Sequence, residues 1–165
     1  VYATGFEISA EFKRRLGIGI NGRDGLSLFD HWADGLKTLH GFTTRGFPNW
    51  FYIGVSQNAF DLNMTSMFDD QARHVAYIID ETLQRGARTV EPTEDGVQGW
   101  LDLLGSFHIG GGGFLAECTP GYYNNEGQPT GGSGFFGAYA PGPARFNQLL
   151  EDWRATGDLP GMELA

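Results

Sequence analysis

Residues 50–85 constrain the fold of this chain more than any other stretch. Trp50-Phe51-Tyr52-Ile53-Gly54 is a short aromatic and aliphatic run that closes on a glycine, the pattern of a short buried strand. A polar loop over 56–61 leads to Asn63, a residue type whose side chain caps helix N-termini well. From there Met64, Met67, Phe68, Gln71, Ala72, Val75, Ile78, Ile79 and Leu83 recur at i, i+3, i+4 spacing. That spacing predicts an amphipathic helix over 64–85. Asp69 and Asp70 lie toward its positive end and Arg85 at its negative end, as the helix dipole favours. Gly86 stands where a left-handed residue ends a helix.

The flanking segments are less regular. Residues 7–46 have poor helical period and dense turn signals: Asn21-Gly22, Asp24-Gly25, Asp34-Gly35 and Arg45-Gly46. Short apolar pieces such as Leu26-Ser27-Leu28-Phe29 lie between them, so the segment reads as a β-rich excursion of short strands. Phe47-Pro48-Asn49 reads as a turn. Pro92 opens a second helix over 93–104, carrying Val97, Trp100, Leu101 and Leu104. Pro143 starts a third at its first position, with Phe146, Leu149, Leu150 and Trp153 on one face and Gly157 as its stop. The chain has 26 glycines in 165 residues, roughly twice the usual share of ~7%. They are densest over 105–142, which has no lasting periodicity and reads as irregular chain packed on something larger.

Composition removes several function classes. Eleven basic against twenty acidic side chains give a net charge of −9, which argues against a phosphate-backbone binder. No apolar run approaches the ~18 residues of a membrane helix. The single cysteine, Cys118, excludes a disulfide framework and fits a reducing compartment, so the expected localisation is cytoplasmic. Cys118 has no basic neighbour to activate it and reads as structural. His31, His40, His74 and His108 show no metal-ligand spacing. His74 is expected at the surface or boundary of the long helix. Two G-x-G-x-x-G matches, Gly17 to Gly22 and Gly132 to Gly137, lack the strand before and the helix after that a dinucleotide fingerprint needs, and both read as chance.

Two features leave alternatives open. Residues 1–3 read as the end of a strand with nothing before it. Either the chain is a piece of a longer protein, or a short edge strand opens a small domain. The helix start at Asn63 offers unpaired amides and a positive partial charge, which suit the pyrimidine edge of a flavin. A capped helix end that simply faces water is the other reading.

The motifs in combination resemble one family. Ala3-Thr4-Gly5-Phe6 resembles the A-T-G-[FY] strand end of flavin-containing and Baeyer–Villiger monooxygenases. The order Gly22-Arg23-Asp24-Gly25, Trp32, Gly35, Thr38, Gly41, Gly46-Phe47-Pro48-Asn49, then Asn63-Met64, then Gln71 and His74, is similar to the C-terminal part of Baeyer–Villiger monooxygenases. Cys118-Thr119-Pro120-Gly121-Tyr122-Tyr123-Asn124-Asn125 resembles the subgroup acting on larger ketones.

The resemblance implies an enzyme that uses FAD, NADPH and O2 to insert oxygen beside a ketone carbonyl, giving an ester or lactone. It implies an α/β fold: an incomplete Rossmann-like FAD-binding domain, represented by its C-terminal portion at residues 1–86, with the β-rich excursion and the long helix inside it. Residues 87–165 would form a helical, irregular, glycine-rich C-terminal extension. By the same resemblance Ala3, Thr4 and Gly5 lie near FAD, and Asn63 and Met64 face the flavin pyrimidine edge. Ala59, Phe60 and Asp61 line the ketone pocket. Tyr122 falls where many members carry a tryptophan touching the nicotinamide nucleotide, and tyrosine departs from that pattern. The family's nucleotide-binding glycine motifs, its signature histidine stretch and its catalytic arginine all precede the A-T-G strand, so no catalytic residue is assigned here. The expected partner is therefore the N-terminal part of the same protein, and the 165 residues alone are not expected to turn over a ketone. The competing readings are an N- or S-oxygenating flavin monooxygenase or other flavin-dependent oxidoreductase, and a non-catalytic ligand-binding module.

Overall fold

The computed structural model describes residues 17–107 and 137–165. The expectations placed on residues 1–6, 118–125 and 132–136 lie outside them. In chain order the described elements are a 3-10 turn at Arg23–Gly25, α1 (Leu28–His31), α2 (Met64–Gln84), β1 (Val90–Pro92), α3 (Glu94–Ser106), α4 (Pro143–Ala155) and β2 (Met162–Leu164).

The long helix forms where its pattern places it. The Asn63 side chain accepts a hydrogen bond from the Ser66 amide at 3.2 Å, satisfying one of the orphan donors of the first turn. At the other end the Gly86 amide reaches the Leu83 carbonyl at 3.0 Å, with Gly86 at φ +69°. Met67, Gln71, His74, Val75, Ile78 and Thr82 form the buried face. α3 starts on a Thr93 cap that accepts from the Gly96 amide at 3.0 Å. α4 carries Pro143 in its first turn and buries Phe146 and Leu150. α2 and α4 pack against each other, and the Tyr77 hydroxyl donates to the Arg154 carbonyl at 2.9 Å.

The main core joins Leu39, Phe42, Ala59 and Val75 to Trp100, Leu104, Phe146 and Leu150. A second cluster, Leu28, Trp32, Leu36 and Phe47, lies under the first segment. A third, Ile78, Val90 and Leu159, seats the small sheet against α2. The turn at Leu39 drives Phe42 into the core: His40 and Gly41 are both left-handed, at φ +55° and +82°. A β-carbon at Gly41 would stand 2.5 Å from the Ser56 carbonyl oxygen, so this position needs glycine for space as well as for conformation.

Two strand expectations are corrected. Residues 50–54 form no strand, and Gly54 lies in a bend. Tyr52 donates its amide to the Phe42 carbonyl at 2.7 Å and the Trp50 carbonyl accepts from Thr43 Oγ1 at 3.1 Å, but no ladder runs along the segment. It is also less buried than its composition suggests, with Ile53 44% exposed. The β-rich excursion shows only two isolated bridges over 17–46, Asn21 to Ser27 and Leu39 to Thr43. Its turn signals are too closely spaced to leave a strand between them. The first G-x-G-x-x-G match runs into the 3-10 turn at Arg23–Gly25, with no phosphate-binding helix after it.

The sheet that is present went unread. β1 and β2 pair antiparallel, Val90 with Leu164, Glu91 with Glu163 and Pro92 with Met162. Three-residue strands carry no period, and Pro92 reads as a helix opener while serving as a strand end. Asn49 acts as a third strand in miniature. Its amide donates to the Val90 carbonyl at 2.9 Å, its Oδ1 accepts from the Val90 amide at 3.0 Å, and its Nδ2 donates to the Arg88 carbonyl at 3.0 Å.

Glu91 is buried, and its carboxylate is fully engaged. Arg23 donates through Nε at 2.8 Å and Nη2 at 2.7 Å, and the Gly46 amide donates at 2.8 Å. These bonds tie the first segment to the small sheet. Glu91→Ala is expected to lower unfolding stability by about 2 kcal/mol, the scale of hydrogen bonds to a buried charge. Denaturant titration of the variant beside wild type measures it.

Candidate functional site

The loop over 54–63 and the first turn of α2 form the candidate site, and a hydrogen-bonded frame sets them. Gln71, 1% exposed, accepts from the Gly54 amide through Oε1 at 3.1 Å and donates to the Gly54 carbonyl through Nε2 at 2.9 Å. Asn58 Nδ2 donates to the same carbonyl at 3.0 Å. Gln57, itself at φ +57°, reaches the other way. Its Oε1 accepts from the Thr38 amide at 3.2 Å and the Thr38 hydroxyl at 2.6 Å, and its Nε2 donates to the Leu36 carbonyl at 2.7 Å. Trp100 Nε1 donates to the Gln57 carbonyl and the Tyr139 amide to the Asn58 carbonyl, each at 3.1 Å. A loop can sit this deep only when its backbone groups find such partners.

From this base the chain emerges toward the helix. Ala59 is buried in the main core, Phe60 and Asp61 are half-buried, Leu62 is 92% exposed and Met64 42% exposed. Asp61 Oδ1 accepts from the Asn63 amide at 2.8 Å, and Asn63 in turn caps Ser66. The helix end is therefore only partly closed. Among the described residues the amides of Met64 and Thr65 have no protein partner and sit at the positive end of the helix dipole. Ala59 and Asp61 also share a crevice with Met67, Gln71, Phe146 and Asn147, between the start of α2 and α4; Phe60 does not line it. Asn147 Nδ2 donates to Asp70 Oδ2 at 2.8 Å across that junction.

The structure thus brings Ala59, Phe60, Asp61, Asn63 and Met64 together around one helix start. Ala3, Thr4, Gly5 and Tyr122 lie outside the described residues. The frame residues Gln57, Asn58, Trp100 and Thr38 were not singled out as site residues. A polar loop without period carries no sign of which amides turn inward.

His74 is a correction. It is fully buried rather than at the helix surface or boundary. The sign was present, because Met67, Gln71, His74 and Ile78 follow the helical spacing of the inward arc. Rings of Trp153, Phe42 and His40 surround it at 5.0, 5.2 and 5.5 Å between centroids. Arg154 Nη1 lies 3.2 Å from Nδ1, so Nδ1 accepts and Nε2 carries the proton. Burial, together with the charges of His40 and Arg154, lowers the His74 pKa to about 2. Burial alone lowers that of His40 to about 3.

Both imidazoles are therefore neutral in the folded chain and titrate near 6.5 once unfolded. Their contribution is complete above about pH 6.5 and is lost as pH falls toward the folded values, since the unfolded chain then binds more protons. Each site adds a slope of at most about 1.4 kcal/mol per pH unit. Denaturant midpoints are expected to fall between pH 7 and pH 5, and His74→Phe is expected to flatten that fall.

No family model matches the chain. Individual proteins do. The chain is 40% identical over 99% of its length to pentalenolactone D synthase of Streptomyces exfoliatus, of which it spans 28%. It is also 40% identical, over 93% of its length, to a Baeyer-Villiger monooxygenase of Streptomyces coelicolor, of which it spans 25%. Among solved structures it is similar to a polycyclic ketone monooxygenase from the thermophilic fungus Thermothelomyces thermophila. That match has a TM-score of 0.81 and 31% identity, and covers 94% of this chain and 25% of the other. The resemblance to Baeyer–Villiger monooxygenases holds along nearly the whole chain, which spans about a quarter of the length of these relatives.

Proposed function

We propose that this chain is the C-terminal part of a Baeyer–Villiger monooxygenase, an FAD- and NADPH-dependent enzyme that inserts an oxygen atom from O2 into a ketone to give an ester or lactone. The observation that carries the reading is similarity over 99% of the chain joined to a helix start that its own cap leaves partly open. Residues 1–86 are the closing portion of a Rossmann-like FAD domain and residues 87–165 its extension. The partner that completes the site is the N-terminal part of the same protein.

The residues present fit the cofactor. Asn63 satisfies the third amide of α2 and leaves the Met64 and Thr65 amides for an acceptor. A flavin pyrimidine edge presents such acceptors and gathers negative charge on reduction, which the positive helix end stabilises. The exposed side chains of Leu62 and Met64 supply apolar surface beside those amides. When bound, FAD supplies the redox chemistry with O2, with electrons from NADPH. By the family resemblance, Ala3, Thr4 and Gly5 would hold FAD, and Tyr122 would stand where members carry a tryptophan against the nicotinamide nucleotide. Ala59, Phe60 and Asp61 shape the ketone pocket. Their task is to exclude water and hold the carbonyl in one orientation.

In the full-length protein that carries this chain, a cyclic or long-chain ketone is expected to stimulate NADPH oxidation, with ester or lactone as product. Sulfide or amine oxidation without any ester would assign the protein to the N- or S-oxygenating flavin monooxygenases instead. Residues 1–165 expressed alone are expected to be colourless and inactive. A stable yellow protein from that segment would contradict the reading of an incomplete flavin site.

A further inference from the structure

We propose that Gln71 is the positioning residue of the ketone-lining loop: its side-chain amide grips both backbone groups of Gly54 and thereby sets where Ala59, Phe60 and Asp61 stand against the first turn of α2. The proposal rests on the function proposed above and adds the device that fixes substrate orientation.

The geometry carries it in three steps. First, the grip is two-pointed. Oε1 receives the Gly54 amide and Nε2 gives to the Gly54 carbonyl, at 3.1 and 2.9 Å. A paired donor and acceptor fix direction as well as distance, as one rung of a sheet ladder does. Second, the grip closes the loop on one helix. Gly54 is held by the second turn of α2, while Asn63, at the loop's other end, caps the first turn. The segment between them is suspended from two points of a rigid rod. Asn58 braces it internally by donating to the same Gly54 carbonyl.

Third, the residue type has no other explanation. Position 71 lies on the inward arc with Met67, Val75 and Ile78, where an apolar side chain would satisfy the helix. An amide buried there is costly unless paired, and its partners are the backbone groups of the loop. Gln71 also borders Ala59 and Asp61 at the crevice between α2 and α4, so its removal would be felt by the loop residues proposed to shape the ketone pocket. Gln71 acts through the loop and not by contact with substrate or cofactor.

The test uses the full-length protein and an unsymmetrical ketone that yields two isomeric esters. Gln71→Met keeps the length of the side chain and removes both hydrogen bonds. It is expected to retain flavin and KM for NADPH, to raise KM for the ketone about tenfold, and to shift the isomer ratio, as misplaced substrate does. More NADPH should be consumed per ester formed. Thr82→Val, a buried change farther along the same helix, is expected to leave the isomer ratio unaltered. A folded, flavin-loaded Gln71→Met enzyme with wild-type ketone KM and isomer ratio would overturn the proposal.

Where Gln71→Met does not fold, Gln71→Glu decides. Its protonated acid restores the donor and acceptor pair, so the isomer ratio should approach wild type as pH falls. A ratio that stays shifted from wild type at low pH, where the acid is protonated, would overturn the proposal. Hydrogen exchange at the Gly54 amide separates this idea from the functional one. Faster exchange in either variant supports the grip even if no ketone is converted, and unchanged exchange refutes it. Absence of ester from the wild-type enzyme would count against the function alone.

Discussion

The described part of this protein depends on burying a stretch of loop backbone. Residues 56–59 are all buried, and peptide groups withdrawn from water must find partners elsewhere. Trp100 Nε1 reaches the Gln57 carbonyl from α3, and the Tyr139 amide reaches the Asn58 carbonyl. Gln71 pairs both backbone groups of Gly54 at the start of the loop, and the Gln57 side chain turns to Leu36 and Thr38. The elements that form the main core are thus the elements that hold the loop. Packing and site geometry are one construction, because Trp100 contributes its ring to the core and its indole N–H to the loop.

A second polar tie gives the construction its footing. Glu91 belongs to a three-residue strand too short to be stable alone. It becomes secure because Asn49 binds one edge, β2 the other, and Arg23 and the Gly46 amide close over the carboxylate. This brings the segment before residue 50 and the chain's last residues to the same small sheet. Leu159, Val90 and Ile78 fill the space between that sheet and α2. The helix that carries the candidate site is therefore held on one side by α4 and along its later turns by the sheet.

Legibility in the sequence followed the range of the forces involved. The three long helices were readable because their caps and periods are local: Asn63 and Gly86 bracket α2, Thr93 precedes α3 and Pro143 begins α4. The resemblance assigns Ala59, Phe60, Asp61, Asn63 and Met64 to a site, and all five lie in one short stretch leading into the first turn of α2. The small sheet was not readable, because β1 and β2 are separated by most of the C-terminal half and neither has a period. The frame around the loop was not readable either. Gln57 and Thr38 meet through hydrogen bonds that no spacing rule encodes. His74 was misplaced for a different reason: a polar residue type was weighted above the helical arc on which it lies.

The false strand at 50–54 points to the same conclusion as the exposed apolar side chains. A strand is defined by its neighbours, and Trp50-Phe51-Tyr52-Ile53 has the composition of one without a ladder on it. Ile53 and Leu62 flank the loop in solvent, Met64 opens the helix, and Ile79 and Leu83 continue along its outer side. Scattered exposed hydrophobics are ordinary. Here, among the described residues, five of the eight exposed large hydrophobics lie on residues 53–83, from the segment whose expected strand lacks a ladder through α2. Relatives about four times as long have the chain to cover such surface. On the proposed function, the partner that would add a ladder to residues 50–54 is also the one that would bring the flavin to the open amides of Met64 and Thr65. Completion of the sheet and completion of the site would then be a single event.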